Sequence, residues 1–293
     1  MALISDTAAS APIGRLRLSE LARIPRRHPL VLIGGTLLVL LIVMAFAAPL
    51  VAGDPLTMDP LKRLQPPSES MWFGRDDLGR DVFARTIFGA RISLLVGLLS
   101  AVCATVGGLV IGIVAGYNRN LDSAVMRFMD ALMSIPTMLL AITLISVTGA
   151  GIGVLIIAIA ITQTPSLARL VRSVVLSVRE RPYVEAAICG GARVPRVLWR
   201  HILPSTLPPL MVQGATVCAS AILTEAALSF LGVGVPPDIP SWGNMIASSR
   251  LYLAITPMTV FAPGICLAVT VLAVNLLGDG LRDLFDPRAH RRR

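Results

Sequence analysis

The sequence predicts an all-α polytopic membrane protein of six transmembrane helices, with a short helix–turn–helix in its largest cytoplasmic loop. Three observations carry this. Apolar residues make up 55% of the 293 residues and charged residues only 15%, against about a quarter charged in a soluble domain. The charges are clustered, leaving uncharged runs longer than the roughly 20 residues a spanning helix needs. The runs show no period-two alternation, so helices rather than a barrel satisfy the backbone in hydrocarbon. The hydrophobicity also excludes intrinsic disorder.

Taken in order, residues 1–28 are a basic cytoplasmic tail. Leu30 to Gly53 is uncharged and gives the first span, near 30–52, within a segment 29–52. Arg26-Arg27-His28 would serve as the n-region of a signal peptide, but the apolar run is longer than a usual h-region, so a retained span is expected. Residues 53–91 form an extracytoplasmic loop. Ile92 to Asn118 supplies the second span, near 92–117. Ala131 to Ala168 is too long for one span and breaks at the glycine-rich turn Thr148-Gly149-Ala150-Gly151-Ile152-Gly153. That gives spans near 127–148 and 151–171. A large loop, 172–206, follows. Ile202 to Pro237 is interrupted only by Glu225 and supplies the fifth span, near 207–232. Leu251 to Gly278 supplies the sixth, near 256–279. Residues 92–281 thus hold five spans, and 282–293 form a second basic tail.

Six spans put both termini on one side. Most of the 26 basic residues fall on that side, including Arg15 to Arg27, Arg119, Arg127, Arg169 to Arg200 and Arg282 to Arg293. The opposite side holds Lys62, Arg63, Arg75, Arg80, Arg85, Arg91 and Arg250. The arginine-rich side is therefore assigned to the cytoplasm. This pattern accounts for the net charge of +9 without nucleic acid, since no aromatic-interleaved basic patch accompanies it. Cys103, Cys189, Cys218 and Cys266 have neither CxxC spacing nor a metal-site pattern and read as small apolar fillers.

No catalytic constellation is legible. The single lysine, Lys62, follows Leu61, so there is no Gly-Lys-Ser/Thr phosphate loop. His28, His201 and His290 do not cluster, and no GxSxG elbow occurs. If ATP drives this protein, another chain must bind it.

The cytoplasmic loop is the most informative segment. Pro182 suits a first helical turn, Tyr183 to Cys189 continue it, and Gly190-Gly191 ends it. Val194 to His201 can form a second short helix leading into Ile202-Leu203-Pro204. A plain connector needs neither this length nor the paired glycine. The string Tyr183-x-Glu185-Ala186-Ala187-x-x-x-Gly191, with Ile202-Leu203-Pro204 after it, resembles the EAA loop of ABC importer permeases. Further likeness lies in Gly74-Arg75-Asp76-Asp77-Leu78-Gly79-Arg80-Asp81, in Leu228-Ser229-Phe230-Leu231-Gly232-Val233-Gly234 with Pro240-Ser241-Trp242-Gly243, and in Asn275-Leu276-Leu277-Gly278-Asp279-Gly280. These resemble the dipeptide/oligopeptide/nickel permeases, in their second, C-type subunit, over roughly residues 25–288. Arg75, Gly190 and Ser205 depart from the usual pattern.

The resemblance implies a type I ABC importer permease fold in a bacterial inner membrane. It implies a homologous second permease, two ATPase subunits that hold ATP and magnesium, and an extracytoplasmic substrate-binding protein. Tyr183, Glu185, Ala186, Ala187 and Gly191 would couple to the ATPase. The cargo expected is di- or oligopeptide, with nickel chelate, glutathione or opine as alternatives. A stand-alone secondary transporter is the distant alternative; it calls for inverted repeats and several intramembrane ionisable residues, which are not seen.

Four further features have two readings each. Val82, Phe83, Thr86, Ile87 and Ala90 share a helical face, suggesting a short helix on the outer membrane surface. Arg80, Asp81 and Arg85 around it are candidates for docking the binding protein, or merely anchor it. Gly108, Gly112 and Gly116 share a face, packing within the subunit or against a partner. Glu225, the one acid well inside a span, serves path and gating or a structural bond, and Asn275 is a second candidate for the path. Asp130 and Arg127, near the start of the third span, read as a rim pair, with a cargo site as the other reading.

Overall fold

The computed structural model describes residues 29–69 and 71–285. The two tails, 1–28 and most of 282–293, lie outside the described residues. Helices dominate what is described, and the pairing Ser68–Met71 and Arg75–Asp81 are isolated bridges in one loop.

Helix α1, Pro29–Val51, is the most apolar, with a mean hydropathy of 2.8. Gly34 lets it press against a later helix: a Cβ there would lie 2.7 Å from the Ala273 carbonyl oxygen. Helix α2, Val82–Tyr117, runs unbroken for 36 residues, about 54 Å at 1.5 Å per residue. The separate surface helix expected before residue 92 is therefore the first turns of the second span. The Asp81 carboxylate caps it by accepting the Phe83 N–H at 2.9 Å, which fixes the start at residue 82.

The third span is broken. Helix α3, Arg119–Met133, and helix α4, Thr137–Thr148, meet at 92°. Pro136 excludes Ile135 from helical geometry, so the chain turns there. Helix α5, Ile152–Arg179, leads into the loop. The loop holds α6, Pro182–Cys189, and the single turn α7, Val194–Val197. A π-type turn, Leu198–Ile202, joins α7 to α8, Leu203–Phe230. Helix α9, Trp242–Ser249, and α10, Met258–Phe285, complete the order. Among the described residues, five helices are long and apolar enough to cross a membrane, and the bent α3–α4 pair makes a sixth span if counted as one.

The glycines of α2 pack inside the subunit. A Cβ on Gly108 would meet Leu167 Cβ at 2.4 Å, and one on Gly112 would meet the Ala168 carbonyl at 2.6 Å. Gly116 approaches Val175 in the same way. Helix α5 therefore lies along α2 over three turns. Leu167, Val171, Val175 and Val178 of α5 share one buried apolar cluster with Ile202 of the π-type turn and with Leu210 and Val217 of α8. This apolar seam reaches down to Val184 of α6 and Val197 of α7, and so ties the loop to the membrane core.

Candidate functional site

The loop of α6 and α7 is anchored to the spans by buried side chains. Pro182 occupies the first turn of α6, where a missing N–H costs nothing. Val184 is fully buried in the cluster with Val178, Val197 and Ile202. The neighbours Tyr183, Glu185, Ala186, Ile188 and Cys189 are exposed, and Ala187 is half-buried. Helix α6 ends in a Schellman geometry: Ala192 N–H donates to the Ala187 carbonyl at 3.0 Å and Gly191 N–H to Ile188 at 2.9 Å. Gly191 takes φ +82°, a conformation that penalises a Cβ. Gly190 keeps an ordinary φ of −74°, so Gly191 alone makes the turn. The Tyr183 ring rests on His201, centroids 5.8 Å apart. Around α6 the surface carries Trp199 at 72% exposure, with Val194 and Ile188 also outside. An apolar, small-residue helix held out this way is built to be covered.

Ion pairs brace the base of this projection. Arg172 Nε and Nη2 donate to the two Asp122 oxygens at 2.5 and 2.6 Å, a bidentate fork between α5 and α3. Arg169 Nη2 donates to Asp130 at 2.6 Å. The rim pair read between Asp130 and Arg127 is thus replaced by Asp130 with Arg169, because the bend at Pro136 lays α3 across α5. Arg179 Nη1 donates to the last carbonyls of α2, Gly116 and Tyr117, at 3.3 Å, where a cation complements the helix end. Sequence spacing gave no sign of these pairs, since their partners lie 39 to 63 residues apart.

Glu225 lies toward the opposite end of α8 from the α6–α7 loop and has no exposed surface. Ser93 Oγ of α2 donates to its Oε2 at 3.1 Å, and Ser229 Oγ of α8 donates to its Oε1 at 2.9 Å. The Ser241 hydroxyl, which caps α9, also bonds to it. Each hydroxyl holds backbone in turn: Trp242 N–H donates to Ser93 Oγ at 3.4 Å and Val235 N–H to Ser229 Oγ at 3.1 Å. Asn244 Nδ2 donates to the carbonyls of Val235 and Pro236 at 3.0 Å. The carboxyl is the centre of a knot that fastens the 231–249 loop to α2 and α8. A buried polar group this well partnered is structural before it is anything else.

Arg80 and Arg85 are interior residues, 5% and 2% exposed. Arg80 Nε donates to Asp76 Oδ2 at 2.7 Å, and Arg85 Nε lies 3.6 Å from the same oxygen. Asp81 caps α2. A docking edge made of the Arg80 and Arg85 side chains is corrected accordingly: they are spent inside the loop, holding it to the start of α2, while the half-buried Asp81 is taken up by the cap. Replacing Asp76 with Asn is expected to strand two buried guanidinium groups. Breaking a buried pair costs about 3–5 kcal/mol, so the variant should accumulate in membranes at a small fraction of the parent level, measured by quantitative immunoblot. Asn275 is exposed on α10, and nothing joins it to Glu225 among the described residues.

Comparison with known proteins bears directly on this geometry. Residues 108–291 match the family described as binding-protein-dependent transport system inner membrane component. Residues 19–67 match the N-terminal TM domain of oligopeptide transport permease C. The chain is 73% identical over the full length of both sequences to a probable peptide ABC transporter permease protein of Sinorhizobium fredii. It is 40% identical to a dipeptide transport system permease protein of Alkalihalophilus pseudofirmus, over 90% of this chain and 87% of that one. A glutathione transport system permease protein of Pectobacterium atrosepticum is 38% identical, over 91% and 89%. Among solved structures, a chain of the inward-facing MetNI methionine ABC transporter superposes with a TM-score of 0.58 at 20% identity, over 70% of this chain and 98% of that one.

Proposed function

The chain belongs to the binding-protein-dependent transport system inner membrane component family, and on that premise we propose that it forms half the translocation path of an ATP-driven importer of di- and oligopeptides. One observation carries the reading: α6 is held out from the membrane core by a single buried anchor, Val184, while its small outward residues stay uncovered. The names of the relatives support peptide as cargo, and the glutathione relative keeps a modified tripeptide within the same chemistry.

In this reading two ATPase subunits bind ATP and magnesium, which this chain does not. The coupling helix α6 sits in a cleft of one ATPase subunit, and that of the second permease in the other. Closure of the ATPases pulls on Tyr183, Glu185, Ala186 and Ala187. Because Val184, Val197 and Ile202 are buried with α5 and α8, that pull reaches both spans as one body. A homologous permease supplies the other half of the path, and an extracytoplasmic binding protein delivers cargo. Both termini and the coupling loop then lie in the cytoplasm, as the arginine distribution requires. An affinity-tagged chain, extracted in mild detergent from its own bacterium, should carry the ATPase subunits and a second permease with it. Recovery as a lone, transport-competent protein would contradict the proposal.

A further inference from the structure

The seam between α5 and α8 has two sides. One is the apolar seam already described. The other is polar, and its register can be followed. Gln163 Nε2 of α5 donates to Ser220 Oγ of α8 at 3.2 Å, near the middle of both helices. Toward the coupling loop, Ser173, Ser177 and Val178 of α5 face Pro209 and Ser205 of α8 across a recess of about 420 Å³, with Arg181 at its edge. Both pairings belong to one antiparallel alignment. Between them the same faces carry Ser166 on α5 and Thr216 and Gln213 on α8, at steps of three or four residues on α8, while on α5 Leu170 stands between Ser166 and Ser173. Thr216, Ser173 and Ser177 are exposed, and Gln163, Ser166, Gln213 and Ser220 half-buried.

Ser166, Ser173 and Thr216 satisfy their hydroxyls on their own helices, at the carbonyls of Gln163, Leu170 and Val212, but the side-chain amides of Gln163 and Gln213 carry more donors and acceptors than such bonds fill, and acyl chains supply none. These amides face a helix of another subunit or water. The continuity of the stripe with an open recess favours water. Toward the opposite face the stripe ends: Leu155, Ile156 and Ile159 of α5 bury with Ala221 and Leu228 of α8.

We propose that this polar face is the wall of the solute path, with a recess at the coupling-loop side and apolar packing beyond Gln163. The proposal rests on the importer reading and deepens it. The wall is uncharged until Arg181. Hydroxyls and amides both donate and accept, which suits the backbone amides and carbonyls of a short peptide and is indifferent to the charge of its side chains. The recess lies within the range of about 300–1,000 Å³ typical of small-molecule sites. Arg181 stands where a leaving carboxylate meets the cytoplasm.

Cysteine labelling in the assembled importer tests this. Cys103, Cys189, Cys218 and Cys266 are first replaced by alanine, and Ser166→Cys, Thr216→Cys or, as a lipid-side control, Val43→Cys on α1 is added singly. Inside-out vesicles without ATP are treated with a membrane-impermeant, positively charged methanethiosulfonate. Thiols lining water ionise and react, so S166C and T216C should react roughly ten times faster than V43C. ATP with vanadate, which holds the ATPases closed, should slow them. In the same preparation, loaded beforehand with binding protein and a radiolabelled dipeptide, ATP-driven release of the dipeptide from the lumen is measured, since an importer empties inside-out vesicles. Release with no labelling at Ser166 and Thr216 assigns the stripe to a subunit interface and overturns the wall. Labelling without ATP-driven release of any peptide leaves the wall standing and overturns the peptide reading.

Discussion

Substituting glutamate for Ala186 is expected to lower ATP-driven peptide uptake by roughly 30-fold or more, the loss that goes with about 2 kcal/mol at an interface hot spot. The chain itself should fold and insert normally. Ala186 is exposed on α6, so the larger side chain meets only water in the isolated subunit. In the assembled importer it meets a partner surface that Ala186 fits because it is small. An uncompensated carboxylate buried there opposes docking. Ala187 is a poorer site for the test, being half-buried and accepting the Ala192 N–H through its carbonyl. ATPase activity in the variant should persist but lose its response to loaded binding protein, while Ala186→Ser keeps near-parental uptake. Normal uptake by the glutamate variant would remove α6 from the coupling route.

The second large effect belongs to Glu225. Removal of its carboxyl by Glu225→Ala leaves the Ser93, Ser229 and Ser241 hydroxyls without their acceptor and opens a void among α2, α8 and the 231–249 loop. Unmade buried bonds cost about 1–3 kcal/mol each, so the alanine variant should yield little assembled complex and no measurable uptake. Glu225→Gln is expected to behave differently. The serine hydroxyls can turn and accept from the new amide, so its cost should be near that of one neutral hydrogen bond, about 1 kcal/mol, or fivefold. Assembly by size-exclusion chromatography and whole-cell uptake are measured on both. If glutamine assembles fully yet abolishes uptake as alanine does, the charge of Glu225 serves transport and the knot is secondary.

The fold was legible where one residue pattern has one physical outcome. Uncharged runs gave the spans because hydrocarbon accepts little else. The pattern around Tyr183, Glu185 and Gly191 gave α6 and its turn, since a glycine in left-handed geometry is needed there. The glycines at 108, 112 and 116 gave the face of close packing, but not that α5 would be the neighbour. What was missed depended on long-range contact. The 92° bend at Pro136 was absent from a reading by hydropathy, because a broken span and a straight one have the same composition. Arg80 and Arg85 looked like surface charges until Asp76 was placed between them. Asp122 with Arg172, and Asp130 with Arg169, join segments that only the bend brings together. Amphipathic spacing at 82–90 suggested a free surface helix, whereas burial by the 231–249 loop makes it the head of α2: Trp242 Nε1 donates to the Thr86 carbonyl at 2.9 Å.

The central claim is that this chain moves peptide only when partner ATPases pull on α6. Reconstitution tests it most directly. The purified chain, its homologous permease, the two ATPase subunits and the binding protein are placed in liposomes, and uptake of a radiolabelled dipeptide is followed with ATP on the ATPase side. Uptake should require ATP and every component, and should stop when the ATPase subunits are left out. Uptake by the two permeases alone, driven by an ion gradient and indifferent to ATP, would contradict the account.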